Sequence, residues 1–486
     1  MSEAEAGRRP NDDDLPERIA GIVGAANIFT SDADLAPYVT DWRDRYHGRA
    51  RLAARPGSAA EVASIVRLCS EREVRVVPQG GNTGLCGAAT PDAGGRAVLL
   101  RLDRMNRVRD INALDGTMLV EAGCVLKAAQ DAAAAAGLLF PLSLGAEGSC
   151  QIGGNISTNA GGTSVLRYGP TRDLVLGLEV VLPDGTLCDW LTPLRKNTTG
   201  YDLKQLFVGA EGTLGIITAA VVKVFPQPAQ KATAMVALAG PEPALALLAR
   251  LRGRVGERLS SLEILNHAQV DVVLRHMPGN VLPFATPSPW YLLIELTDTL
   301  AEYDLCGLLE DLLSKALGDG LITDAVLPAS EAQAASLWRI RHSVSEGNKR
   351  AGYGVTHDTA VPVRAQAEFV RLVEQGMSRE FSGAPLLMVG HIGDGNIHVV
   401  VLLDPEQFPS EEELLAAARR INGIVDEITL GLSGTISAEH GIGQSNKERL
   451  LAGRGPGDVA LMRGIKTALD PKLLFNPGKV FDLEAS

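Results

Sequence analysis

Residues 141–169 read PLSLGAEGSCQIGGNISTNAGGTSVLRYG, a stretch with two Gly-Gly pairs and only two charged side chains. A surface connection of that length would be rich in Lys and Glu, and long structureless loops inside a compact domain are uncommon unless they carry function. What this one offers is backbone N–H groups and the neutral polar side chains of Asn155, Thr158 and Asn159. That combination suits a large, flat, polar, partly anionic ligand held by main chain, because glycine lets backbone approach closely.

Two other segments share the style. PQGGNTGLCG (78–87) has four glycines in ten residues and follows the strand-like EVRVV. Successive N–H groups in such a loop can form an anion-binding concavity for a pyrophosphate; for this loop alone, a turn that needs positive φ is an open alternative. GYDLKQLFVGAEGTLGIIT (200–218) is the third. The fingerprint GxGxxG is absent, GIGQSN (441–446) lacks its third glycine, and no P-loop occurs, which disfavours ordinary NAD and ATP folds.

The net charge of −12 and the lack of a basic run argue against nucleic acid as a partner. A phosphate-bearing ligand would therefore be held by backbone N–H groups. The six cysteines (69, 86, 124, 150, 188, 306) contain no CxxC, which argues against a disulfide framework or an iron–sulfur cluster and fits a reducing compartment. The start MSEAEAGRRPNDDD has no apolar core, and the uncharged run 277–294 carries four prolines. No targeting peptide and no membrane span are expected, and the location expected is cytoplasmic.

Val62, Ile65, Val66 and Cys69 fall at helical spacing within 59–72, ahead of a buried strand that runs into the first glycine loop. VLGLEVVLPDGTLCDW (175–190) reads as two strands around a Pro-Asp-Gly turn, and GIITAAVVKVFPQP (215–228) as a strand stopped by prolines. Beyond PQPAQ (226–230) come a strand near 290–296, a leucine-rich helix over 300–317 and a long helix over 330–351. Strand 354–361, helix 363–381, a hairpin and helix 411–431 follow. The fold class is α+β.

The hairpin holds GHIGDGNIH (390–398), which places His391 and His398, two of only eight histidines, on either side of a glycine turn. Imidazole is a metal ligand at neutral pH because its pKa of about 6.5 leaves a lone pair free. Two ligands are too few. A third candidate is Glu439 in TISAEHGIG, followed by His440, and His₂Glu is a catalytic zinc combination. Two solvated histidines beside an unrelated Glu–His pair is the other reading, and the residues alone leave both open.

The three glycine motifs, in this order, resemble the flavin domain of the vanillyl-alcohol oxidase/p-cresol methylhydroxylase superfamily. TPLRKNTTGYDLKQLFVGAEGTLGIIT (192–218) is similar to FAD-dependent D-2-hydroxyacid dehydrogenases, above all the D-2-hydroxyglutarate dehydrogenase branch. The resemblance runs from about residue 40 to FNPGKV (475–480). It implies an N-terminal arm and helix (1–45), a two-part FAD-binding domain (46–226), an α+β substrate- and metal-binding domain with an antiparallel sheet (227–465), and a C-terminal segment (466–486) returning to the flavin.

By that resemblance Gln79, Gly80, Gly81, Asn82, Thr83, Gly84 and Leu85 wrap the FAD pyrophosphate. Gly145, Ser149, Ile152, Gly153, Gly154, Asn155, Asn159, Gly162, Gly212, Ile216 and Ile217 line the rest, and Asn476 comes back to the ring. Relatives that bind flavin covalently use a histidine where this chain has Asn82, so the FAD is expected to be non-covalent. The resemblance also implies a divalent metal, zinc by the donor set, on His391, His398 and Glu439, which leaves His440 as catalytic base and substrate contact.

Arg341 and Ser345 are implied to bind substrate, Arg341 by pairing with a carboxylate; taken alone, Arg341 is more often a solvated surface arginine. At two positions the chain departs from the hydroxyglutarate branch. Thr356 stands for a Lys and Val400 for an Asn. His357, Lys349 and Arg350 are the nearby cations that could replace the Lys, with Asp358 placed to neutralise His357. The activity implied is oxidation of a D-2-hydroxy acid to the 2-oxo acid, with D-lactate, glycolate or a hydrophobic, mandelate-like acid as alternatives to D-2-hydroxyglutarate. A metal-dependent hydrolase leaves the glycine loops unexplained, and a non-catalytic FAD-binding subunit leaves the His/Glu set unexplained. Electron-transfer flavoprotein or a quinone are compatible acceptors, and a homodimer is compatible too.

Overall fold

The computed structural model describes residues 14–404 and 406–483. Residues 1–13, on which the expectation about targeting rests in part, lie outside them. Helix Ala59–Glu71 begins where the Ser58 hydroxyl accepts the Glu61 N–H, and buries Val62, Ile65, Val66 and Cys69 as their spacing predicts. It connects strand Leu52–Ala54 to strand Val76–Gln79, and both pair in parallel with Val98–Arg101 between them. A crossover helix is what parallel pairing requires.

Beside this small sheet lies an antiparallel one, ordered Val108–Asn112, Thr117–Glu121, Ile216–Lys223, Val175–Val181, Leu187–Asp189. The two share one core, and Leu474 and Phe475 from the far C-terminus are part of it. Phe475 bridges in parallel to Val76, and the Asn476 N–H donates to the Val76 carbonyl. The tail is thus stitched onto the strand that feeds the first glycine loop.

The second half is a seven-stranded antiparallel sheet, ordered Asp324–Val326, Gln230–Leu238, Trp290–Asp298, Leu259–Asn266, Leu386–His391, Asn396–Leu403, Tyr353–Ala360. Alternation divides its faces. Leu292, Ile294 and Leu296 pack with helices Pro241–Val255, Leu305–Gly318, Gln366–Glu380 and Glu411–Gly431. Tyr291 and Leu293 pack on the other side, with Val270, Val273, Leu337 and Ile340 of shorter helices. Strands Gln230–Leu238 and Leu259–Asn266 are absent from the sequence reading, because a short apolar run does not distinguish strand from helix by period alone. The long helix expected over 330–351 is two helices, Glu331–His342 and Val344–Ala351, broken at Ser343. No helix among the described residues is long and apolar enough to cross a membrane.

Candidate active site between the glycine loops and the large sheet

The three glycine loops meet. A Cβ on Gly81 would lie 2.0 Å from the Ser149 carbonyl oxygen, and one on Gly212 (φ +71°) would lie 2.5 Å from the Pro78 ring. Those contacts lock the first loop to the second and third. Gly84, Gly145 and Gly154, in contrast, have nothing within 4 Å of a Cβ and face open space. A cavity of about 80 Å³ lies among Gly80, Gly153, Gly154, Ile216, Ile217 and Asn476.

Gln151 Oε1, Asn155 Oδ1 and Asn476 Oδ1 are buried without hydrogen-bond partners. An unmet buried polar atom costs about 1–3 kcal/mol; Asn476 lines the cavity and Gln151 Oε1 lies beside Gly80, so these acceptors match a ligand that brings hydroxyl and N–H donors. A flavin nucleotide brings both, and the residues fit it. Gln79, expected to wrap the pyrophosphate with the rest of the first loop, has its side chain turned to the protein. Its Nε2 donates to the Tyr38 and Ala89 carbonyls and its Oε1 accepts from Arg101, so it pins the loop and offers only backbone.

Asn82 (φ +54°) donates to the Thr40 carbonyl, Asn159 Oδ1 accepts from the Arg172 N–H, and Ile152 opens the short helix Ile152–Ser157. Ser149 is exposed, and Thr83 and Leu85 flank exposed Gly84. Asn476 reaches the carbonyls of Ala88 and Glu211. The amide of Asn82 lacks the nucleophilic nitrogen that a covalent flavin link needs, so precipitating the purified protein in acid should leave a colourless pellet and a yellow supernatant. Flavin retained in the pellet would contradict the non-covalent assignment.

On the second face of the large sheet, register decides which histidines meet. Val389 pairs with His398 and His391 with Asn396, so the two rings lie diagonally across adjacent strands, with centroids 5.8 Å apart. Glu439 and His440 arrive on the segment after helix Glu411–Gly431, tied down where Ser437 bridges to Asp358. His391 Nε2 is 3.5 Å and His398 Nε2 3.9 Å from the Glu439 carboxylate. His440 stacks on His398 at 5.3 Å.

Each histidine of the pair has a carboxylate behind it. His391 Nδ1 donates to Glu263 at 2.6 Å, and His398 Nδ1 lies 3.3 Å from Asp358. Orienting one ring nitrogen on a carboxylate while the other converges with a third donor is the arrangement metal-ligating histidines adopt. The ligand atoms of His391, His398 and Glu439 all lie within 4.8 Å of one another. Gly162 joins the two halves: its N–H donates to Glu439 Oε1 at 2.7 Å, and a Cβ on Gly161 would strike the same carboxylate.

Asp358 is nearly inaccessible, which disfavours its charge, yet His440, His398 and the backbone N–H groups hold its carboxyl well below the usual range. It accepts the N–H groups of Ala438, Glu439 and His440. Burial lowers the His440 pKa, with Asp358 opposing. His391 is raised to about 9, its burial outweighed by Glu263 and Glu439. Glu263 and Asp358 are the residues sequence reasoning missed or misassigned. Period-two alternation places Thr356 and Asp358 on one face and His357 on the other, a signal that was available. Glu263 sits in a strand that carried none.

The substrate end needs three corrections. His357 cannot stand in for a lysine at Thr356: it faces the helix-covered side, fully buried, its pKa pushed to about 4 by burial and Arg449. Asp358 does not neutralise it. Lys349 donates to the Trp42 carbonyl and lies over the Trp42 ring, and Arg350 pairs with Glu346. Arg341 does reach the histidines, its Nε donating to Glu263 and its Nη2 lying 3.4 Å from His391 Nε2. Ser345 is exposed and lies beyond the break at Ser343. Thr356 and Val400 are direct cross-strand partners on the His398 face.

Comparison with known proteins gives a consistent picture. Residues 50–190 match an FAD binding domain, and 227–480 match the C-terminal domain of FAD linked oxidases. The chain is 38% identical to D-2-hydroxyglutarate dehydrogenase, mitochondrial, of Bos taurus over 98% of its length and 84% of that protein. It is 37% identical to D-2-hydroxyglutarate dehydrogenase of Xanthomonas citri pv. viticola, over 95% of each. In fold it resembles p-cresol methylhydroxylase with substrate bound, with a TM-score of 0.73 at 17% identity and 97% of each chain covered.

Proposed function

Since this chain belongs to the FAD-dependent D-2-hydroxyacid dehydrogenases, we propose that it is a divalent-metal-dependent member whose pocket favours small or apolar side chains on the hydroxy acid. The observation that carries the metal is the convergence of His391, His398 and Glu439, with Glu263 and Asp358 behind the rings. Zinc fits that donor set.

Bound FAD supplies the two-electron oxidation, and a metal ion supplies positive charge that acidifies the substrate 2-hydroxyl, as zinc takes water from 15.7 to about 7. The chain's own residues do the rest. His440, kept neutral by burial, accepts the hydroxyl proton. Arg341 has its Nε on Glu263 and its Nη2 beside His391 Nε2, which leaves Nη1 for the C1 carboxylate. Gly162 holds Glu439 in place through its N–H. Electrons then pass to an acceptor such as electron-transfer flavoprotein or a quinone.

Selectivity follows from the wall. Val400 packs with Val272 and Leu387, and neither it nor Thr356 offers the charge a second carboxylate needs, since a buried unpaired charge is costly. Anaerobic reduction of the flavin by a panel of D-2-hydroxy acids, with and without chelator, tests the whole reading. D-Lactate or a hydrophobic D-2-hydroxy acid should compete with D-2-hydroxyglutarate, and chelator should stop reduction while the protein keeps its flavin. The double variant Thr356→Lys/Val400→Asn should shift catalytic efficiency toward hydroxyglutarate, by about tenfold or more if one charged hydrogen bond is regained. A wild-type protein already strongly selective for hydroxyglutarate would sink the pocket argument.

A further inference from the structure

GIGQSN (441–446) is the glycine motif that the flavin cradle leaves unused, and it follows His440 directly. Ahead of it, the N–H groups of Ala438, Glu439 and His440 end on the Asp358 carboxylate of the large sheet, at 3.0, 2.7 and 2.7 Å. Within it, the Ile442 N–H donates to Glu211 Oε1 and the Gly443 N–H to Glu211 Oε2, both at 2.8 Å. His440 therefore stands between two buried carboxylates, one from each half of the protein. The first glycine loop holds the same segment. Gln444 donates through its backbone to Cys86 and through Nε2 to Gly87, and a Cβ on Gly443 (φ +53°) would lie 2.1 Å from the Cys86 carbonyl oxygen.

Glu211 belongs to the third glycine loop and lines the flavin cavity. Its backbone is left-handed (φ +52°), a conformation that costs a residue with a Cβ on the order of 1 kcal/mol and persists only where the surroundings impose it. The surroundings do so here: the Glu211 N–H donates to the Ser157 carbonyl at 2.8 Å, and its carbonyl accepts Asn476 Nδ2 at 2.6 Å. A Cβ on Gly441 (φ +81°) would lie 2.9 Å from Glu211 Oε1, so the turn packs directly on the carboxylate. Asp358 fixes His440 relative to the sheet that carries His391 and His398. That tie does not set the distance from His440 to the flavin loops, and Glu211 supplies it.

We propose that Glu211 is a positioning residue for the reaction, whose carboxylate holds the 441–443 turn against the flavin loops and so sets where the His440 imidazole stands relative to the flavin. Loss of the substrate's hydroxyl proton and of its α-hydrogen must both occur within reach of one bound acid, which makes that spacing part of the rate. The effect of Glu211 runs through His440. The inference rests on reading His440 as the base.

The test is a double-mutant cycle on the FAD-loaded full chain, read as the rate of anaerobic flavin reduction at saturating D-lactate or D-2-hydroxyglutarate. Glu211→Gln keeps the size of the side chain but offers one acceptor oxygen and turns an NH₂ toward the other N–H. It should slow reduction by about 10–100-fold, the cost of displacing a catalytic group by about 1 Å. Flavin content, metal content and the KM for the acid should stay unchanged. In the His440→Ala background the same substitution should cause no further loss. Glu211→Asp, which keeps both acceptors and tolerates a positive φ, should recover part of the rate, and it carries the cycle if Glu211→Gln does not fold. Equal losses in both backgrounds, no loss beside His440, a raised KM, or release of flavin (which would make Glu211 a cofactor ligand) each overturn the assignment. A His440→Ala protein that reduces its flavin at the wild-type rate overturns the base reading, and the assignment with it. If neither acid reduces the wild-type flavin, the functional reading has failed and the assignment falls too.

Discussion

Replacing His398 with alanine is expected to abolish turnover and leave the protein yellow. The substitution removes one of three converging donors, and the remaining pair, His391 and Glu439, cannot define a specific site. Loss of even a residue that orients a ligand costs roughly 10–100-fold in metal affinity or activity, so loss of the ligand itself should exceed that. The cavity that fits a flavin nucleotide is lined by Gly80, Gly153, Gly154, Gly212, Ile216, Ile217 and Asn476 and does not include this ring. Bound metal by elemental analysis, bound flavin by absorbance and turnover together make the check. Full activity of the variant in chelator-treated buffer would falsify the metal assignment.

His440→Ala should behave differently. Metal and flavin should both be retained, because His391, His398 and Glu439 are untouched, and the rate of flavin reduction should fall by about 10²–10⁴-fold, the range for a general base. His440 is suited to the role: its Nδ1 lies 3.8 Å from Asp358, and burial keeps the ring neutral near pH 7 and able to take a proton. Rapid-mixing measurement of flavin reduction under anaerobic conditions reads the step directly. If the reduction rate is unaltered, another group takes the hydroxyl proton. The two variants are complementary, since one separates metal from flavin and the other separates the base from both.

The local chemistry of the ligand cradle was legible from residue types. Glycine clusters without charge can do little except bring main chain close to something, and the structure does bring Gly80, Gly153 and Gly154 to one cavity. The hairpin at 386–403 was equally plain, because a glycine turn between apolar runs is a short-range signal. Helices with strong periodicity, such as Ala59–Glu71 and Glu411–Gly431, were read to within a residue or so.

What tertiary structure decided are the partners. Glu263 stands behind His391 only because strand Leu259–Asn266 pairs with Leu386–His391, and nothing in LSSLEILN announces that pairing. Whether residue 356, 357 or 358 faces the histidines depends on register against Asn396–Leu403, where a one-residue slip exchanges the faces. The tie between Glu211 and the turn after His440 is also silent in sequence, since its ends lie 231 and 232 residues apart. Backbone conformation and amphipathic period are set by near neighbours along the chain and can be read there. Convergence of side chains from distant strands is set by packing and register, and only the folded chain contains it.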